Sequence, residues 1–142
     1  MAKLDSLIRV RKHTVEQLQK SLAELYRKAE ELKTERDTLE TELAIESEKS
    51  RNLQPDMLKY FSSYVKQTRK TIDKIDRSRE KLEKQIKLAQ EQLREAFAEQ
   101  KKIEIINKRR KDVEAAKEEK KESQELDEIA IECFRRRSEE EG

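Results

Sequence analysis

Glycine is almost missing from this chain: among 142 residues the only one is Gly142. Proline occurs once, as Pro55, cysteine once, as Cys133, histidine once, as His13, and tryptophan not at all. Chain reversals draw on Gly, Pro, Asn and Asp, so a compact domain with many turns is excluded. A single thiol cannot form an internal disulfide. One histidine and one cysteine far apart, with no CxxC, no HExxH and no glycine-rich phosphate loop, point to no catalytic, cofactor or metal site. The expectation is therefore a non-enzyme without cofactors. No apolar run approaches the ~20 residues that span a bilayer, and the N-terminus lacks the apolar core of a signal peptide, so a cytoplasmic protein is expected. Nor is there an excess of charge of one sign. The 34 basic and 32 acidic residues leave a net charge of +2, which implies no polyelectrolyte partner. Acidic residues interleave with the basic ones and no aromatic platform accompanies them, so nucleic acid is not an expected partner.

What the chain does have is charge in quantity and apolar residues in regular spacing. Asp, Glu, Lys and Arg make up 46% of it, a composition that with helical periodicity signals a coiled coil. Stepping alternately four and three residues from Leu4 gives Leu4, Ile8, Arg11, Val15, Leu18, Leu22, Leu25, Ala29, Leu32, Arg36, Leu39, Leu43, Glu46, Ser50 and Leu53, apolar in all but four cases. A stripe this narrow, of period 3.5, is a coiled-coil seam rather than the broad face of a globular helix. Glu16–Lys20 and Glu24–Lys28 have the favourable acid-before-base order on the outer surface.

Pro55 interrupts this pattern. The reading is helix one over about 3–51, a hinge over about 52–55 and helix two over about 56–137, followed by a fraying acidic tail, all in one elongated domain. Asn52 is the expected left-handed residue closing helix one, for want of a glycine. Pro55 suits the first turn of helix two, and Asp56 complements the dipole there. In helix two the seam continues through Leu58, Phe61, Val65, Thr68, Ile72, Ile75, Arg79, Leu82, Ile86, Ala89, Leu93, Ala96, Gln100 and Ile103. So short a connection favours antiparallel neighbours. Folding about residue 54 sets Leu4 across from Glu104 and Ile103, where the seam of helix two weakens. The fold class expected is all-α: an antiparallel two-helix coiled-coil hairpin whose longer C-terminal helix overhangs by about 30 residues, roughly 45–50 Å. A generic scaffold built as a long parallel dimer is the rival, and Pro55 speaks against it because such a dimer tolerates no break there.

Three regions carry the interaction candidates. Met57, Tyr60 and Tyr64 form a stripe beside the seam residues Leu58, Phe61 and Val65 near the hinge, where amphipathic aromatics suit a docking patch. Basic groups cluster at Arg9, Arg11, Lys12 and His13, at Lys108–Lys111 and at Arg135–Arg137. Beyond Ile106 the chain is highly charged, and the polar stretch Lys117–Gln124 is a possible interruption of helix two. Then Leu126, Ile129, Ala130, Cys133 and Phe134 fall on one helical face. Nothing in the hairpin covers that face, which makes it the foremost docking candidate, with self-association of the C-terminal helix as a further outcome.

The opening Leu4-Asp5-Ser6-Leu7-Ile8-Arg9-Val10-Arg11-Lys12, the closing Glu125-Leu126-Asp127-Glu128-Ile129-Ala130, and Glu99-Gln100-Lys101-Lys102 before the Lys108–Lys111 run resemble the FliJ family of flagellar type III export proteins over essentially the whole chain. The resemblance implies a coiled coil similar to the stalk subunit of rotary ATPases. Such a protein would insert into the hexameric flagellar export ATPase and promote its assembly. It would link the ATPase to the export-gate membrane protein, bind export chaperones, and work at the cytoplasmic face of the inner membrane, peripheral to it. On that basis Arg9, Arg11, Lys12, Leu126, Asp127, Glu128, Ile129, Phe134, Arg135 and Arg136 are candidates for the ATPase, and Met57, Tyr60, Phe61 and Tyr64 for the gate. The equivalent stalk of a virulence-type secretion system is the alternative within this reading.

Overall fold

The computed structural model describes residues 2–141, with side chains from residue 4 onward. Among them there are two long helices and no strand: α1, Ala2–Ser50, and α2, Pro55–Glu141. The chain divides into two compact units, one made of residues 12–97 and the other of residues 1–11 with 98–142.

The 12–97 unit holds the link between the helices. Asn52 does not close α1 in the left-handed conformation, since no described non-glycine residue has a positive φ. The last turn instead tightens: the amides of Arg51, Asn52 and Leu53 donate to the carbonyls of Glu48, Lys49 and Ser50 at 3.2–3.4 Å. Such i→i+3 bonds satisfy terminal carbonyls without the backbone strain that a side-chain-bearing residue incurs at positive φ. The Gln54 carbonyl then accepts from Met57 and Leu58 at 3.0 and 3.2 Å. This makes Gln54 the cap of α2 and puts Pro55 at its first helical position, where a missing N–H costs nothing.

Every α1 seam position from Val15 to Leu53 is buried or half-buried in this unit, and so is every α2 position from Phe61 to Ala96. Val15, Leu22, Leu43, Ile72, Ile75 and Leu82 form the apolar core, with Thr68 buried among the polar residues. Among the described residues no side chain is fully enclosed, as expected where one stripe meets another and no third element closes over them. Leu58 departs from the expected seam and is 43% exposed. The contacts explain why. Arg36 Nε donates to Asp76 at 2.7 Å, and Gln90 Nε2 donates to the Tyr26 hydroxyl at 2.6 Å. Stepping back along α1 thus steps forward along α2, but the partner of Arg36 lies a turn beyond the one that folding about residue 54 predicts. The first turn of α2 is accordingly left without α1 opposite it.

In the other unit the polar side chains meet. Asn107 Nδ2 donates to Asp5 Oδ1 at 3.3 Å, and Lys111 Nζ lies 4.0 Å from the same oxygen. Ile8, Ile103 and Leu4 are half-buried, while Gln100 and Asn107 are buried. From Lys108 to Glu141 every residue is exposed. The helix nonetheless runs unbroken through Lys117–Gln124 and past residue 137. Ala, Glu, Lys and Arg are strong helix formers, so this segment holds its local conformation without tertiary cover.

Replacing Ile72, which is 4% exposed, by Ala should cost about 2–4 kcal/mol in urea unfolding, against about 0.5 kcal/mol or less for Leu88→Ala on the solvent side. Charge reversal at either Arg36→Glu or Asp76→Arg should lower the unfolding midpoint and the double reversal should recover it. Failure to recover would mean that the two side chains do not meet.

Candidate functional site

The exposed end of α2 places most of the sequence candidates on a single segment. Leu126, Ile129 and Phe134 are 66%, 60% and 74% exposed, and Asp127, Glu128, Arg135 and Arg136 are exposed with them. Phe134 sits beside Ala130 and Cys133 in a shallow groove edged by Arg136, Arg137 and Glu140. Arg135 Nη2 pairs with Glu132 Oε2 at 2.7 Å, and Arg136 Nε lies 3.6 Å from the other oxygen of that carboxylate. The two guanidiniums are therefore oriented along the helix by one acid. Free thiol Cys133 is exposed on the same face. This segment is an exposed apolar strip flanked by charge.

The basic candidates of α1 are divided. Arg9 and Lys12 are exposed, but Arg11 is half-buried at a seam position and its Nε is buried without a hydrogen-bond partner. A guanidinium partly withdrawn into the helix pair has fewer donors to offer a partner protein than one on the open surface. Arg9 and Arg11 make no hydrogen bond or ion pair to segment 126–136 among the described residues, so these candidates are not gathered into one cluster.

At the hinge end, Met57, Tyr60 and Tyr64 are 52%, 75% and 38% exposed, while Phe61 is half-buried. Leu58, Phe61 and Val65 line a shallow groove whose rim includes Lys66, Arg69 and Lys70. The exposed first turn of α2 is what opens this groove. An apolar floor with one aromatic, Phe61, and a rim that carries Asp73 beside the three basic residues could receive an amphipathic segment of another protein.

One constellation escaped the sequence reading. Gln100, Glu104 and Asn107 form a polar edge with Asp5: Gln100 Nε2 donates to Glu104 Oε1 at 3.0 Å, and Asn107 reaches Asp5. The Asn107 Oδ1 is buried with no partner. The signal was present, since the four-three stepping that ends at Ile103 lands next on Asn107. A lone asparagine at a seam position is a known means of fixing register, because any other alignment strands its amide. Elsewhere on α1, Arg27 bridges Glu24 and Glu31 on the open surface. The hydrogen bond from Arg27 holds the Glu24 carboxyl below its ordinary value. So exposed a pair adds little to the fold.

Among the described residues no group of His, Cys, Asp or Glu gathers in a way that would hold a metal ion, and no helix is long and apolar enough to cross a membrane. No curated protein and no solved structure matches the chain. The model of the family described as the flagellar FliJ protein matches residues 1–139. With nearly the whole of both helices inside that match, the chain belongs to the FliJ family and is a component of the flagellar protein export apparatus.

Proposed function

We propose that the chain is the stalk-like coiled coil of its export apparatus: an antiparallel two-helix hairpin whose uncovered C-terminal segment inserts into the hexameric export ATPase and promotes its assembly and activity. The observation that carries this reading is the stretch from Lys108 to Glu141, helical throughout and exposed at every residue, with an apolar strip at Leu126–Phe134. A helix of this kind gains little from its own chain and much from a partner groove. The charged groups around the strip, Asp127, Glu128, Arg135 and Arg136, with Arg9 and Lys12 as separate contacts, would steer and orient the docking more than they add affinity.

The hinge end is the proposed contact to the export gate, through Met57, Tyr60, Tyr64 and the edge of Phe61. In this reading the chain works at the cytoplasmic face of the inner membrane, peripheral to it, and also receives export chaperones. What supports intramolecular pairing over a parallel scaffold dimer is the break between α1 and α2 at residues 51–54 and the contact of Arg36 with Asp76 in the same chain.

ATP hydrolysis by the cognate export ATPase tests the first contact. The full chain should stimulate it, and a chain ending at Asn107 should not. Stimulation by both, or by neither with the ATPase itself active, would remove the docking role of the terminal segment. The second contact is tested separately: Tyr60→Ala with Tyr64→Ala should weaken capture of the gate protein about tenfold or more, the scale of one interfacial aromatic anchor, while stimulation of the ATPase stays intact.

A further inference from the structure

The net charge of +2 hides a sharp separation of sign on α2 between Lys102 and Gln124. An α-helix turns about 100° per residue, so positions sort by their angle from Val113. Within about 80° of Val113 lie Lys102, Arg109, Arg110, Lys117, Lys120 and Lys121, with Ile105 and Ile106 among them and no acid. Glu104, Asp112, Glu114, Glu118, Glu119 and Glu122, the whole acidic complement of this stretch, fall on the remaining side. We propose that this basic face of α2 binds an anionic lipid surface, lying flat along it. The proposal would give a direct contact to the membrane-face location argued above but does not rest on it, because the face is read from charge and exposure alone.

Exposure makes the face available. Every residue from Lys108 to Gln124 is exposed, as is Lys102, and Ile105, Ile106 and Val113 are 50%, 44% and 54% exposed. Lys102 lies 3.6 Å from Glu99, whereas Arg109, Arg110, Lys117, Lys120 and Lys121 have no ion pair among the described residues. Asp5, the one acid of residues 1–11, meets Asn107 and Lys111 on the far side of α2 and so does not screen the face. Three features select the occupant. Four of the six cations are lysines, a residue depleted from protein–protein interfaces but effective as a point charge beside anionic headgroups. Ile105, Ile106 and Val113 lie between the cations, where they add nothing against a nucleic-acid backbone but can enter the headgroup boundary. Finally, the face is the convex side of an uncovered helix, which a planar partner can meet along roughly 30 Å.

Sedimentation of the full chain with lipid vesicles tests this. Phosphatidylcholine vesicles with about 30% phosphatidylglycerol should carry the chain down at low ionic strength, and pure phosphatidylcholine should not, since the cations gain only near an anionic surface. Salt at about 0.5 M should release it by screening. The triple variant Arg109→Gln, Arg110→Gln, Lys117→Gln should weaken binding about tenfold or more. Lys81→Gln, Lys84→Gln, Lys87→Gln, with the same change in net charge, should bind as the native chain does. Circular dichroism should be unchanged in both, because these side chains are all exposed and Gln is a good helix former. In a Cys133→Ser background, a polarity-sensitive dye on Val113→Cys should report an apolar environment with anionic vesicles, and the same dye on Glu118→Cys should not. Equal binding to both vesicle types, equal loss in the two triple variants, or no binding at low salt would overturn the proposal. So would a salt-sensitive shift of duplex nucleic acid without vesicle binding, which would assign the cations to a phosphate backbone.

Discussion

The rest of the structure depends on a single narrow seam. Apolar residues recur every 3.5 positions, so each helix offers a stripe just wide enough for one partner helix and no wider. The depth of burial follows from that width. Ile72 and Ile75 are nearly covered, yet no described side chain is fully enclosed. With only two helices in contact there is no third surface to close the core, and stability accumulates along the length of the seam rather than at a centre. The same width leaves most of each helix surface in solvent, which is why nearly half the chain can be charged without any of that charge being buried at depth.

Where the seam turns from apolar to polar, its role changes too. In the 12–97 unit its buried apolar core is Val, Leu and Ile, which bury readily but discriminate poorly between registers. In the other unit Arg11, Gln100 and Asn107 occupy seam positions, and Asp5 holds Asn107 in place. A buried polar group without a partner costs stability, and Asn107 Oδ1 and Arg11 Nε are so placed. They also penalise any shift of one helix along the other. Apolar residues thus supply most of the cohesion, and polar contacts such as Arg36–Asp76 in one unit and Asn107–Asp5 in the other supply alignment.

Beyond Lys111, which still reaches Asp5, the helix is sustained by local terms. Isolated helices are marginal in water unless long and rich in good formers. This segment is both, and the exposed Arg135–Glu132 pair adds only a little to it. Holding a helix in place before its partner arrives lowers the ordering cost of binding. An uncovered but already helical strip therefore pays less to bind a partner than a segment that must fold on contact.

Much of this was legible in the residues. The four-three stepping from Leu4 to Ser50 and from Phe61 to Ile103 coincides with buried and half-buried positions, because a period of 3.5 admits one helical geometry and one buried stripe. Pro55 located the break, since a proline inside a helix has no tolerable position except the first turn. The exposed Leu126–Phe134 face was legible for the same reason. What the pattern did not decide was closure and register. The choice of i→i+3 bonds over a left-handed Asn52, the exposure of Leu58, the partial withdrawal of Arg11 and the meeting of Asp5 with Asn107 all depend on how far one helix extends past the turn. Periodicity states which side of a helix is buried, whereas only the tertiary contacts state what lies opposite each residue along it.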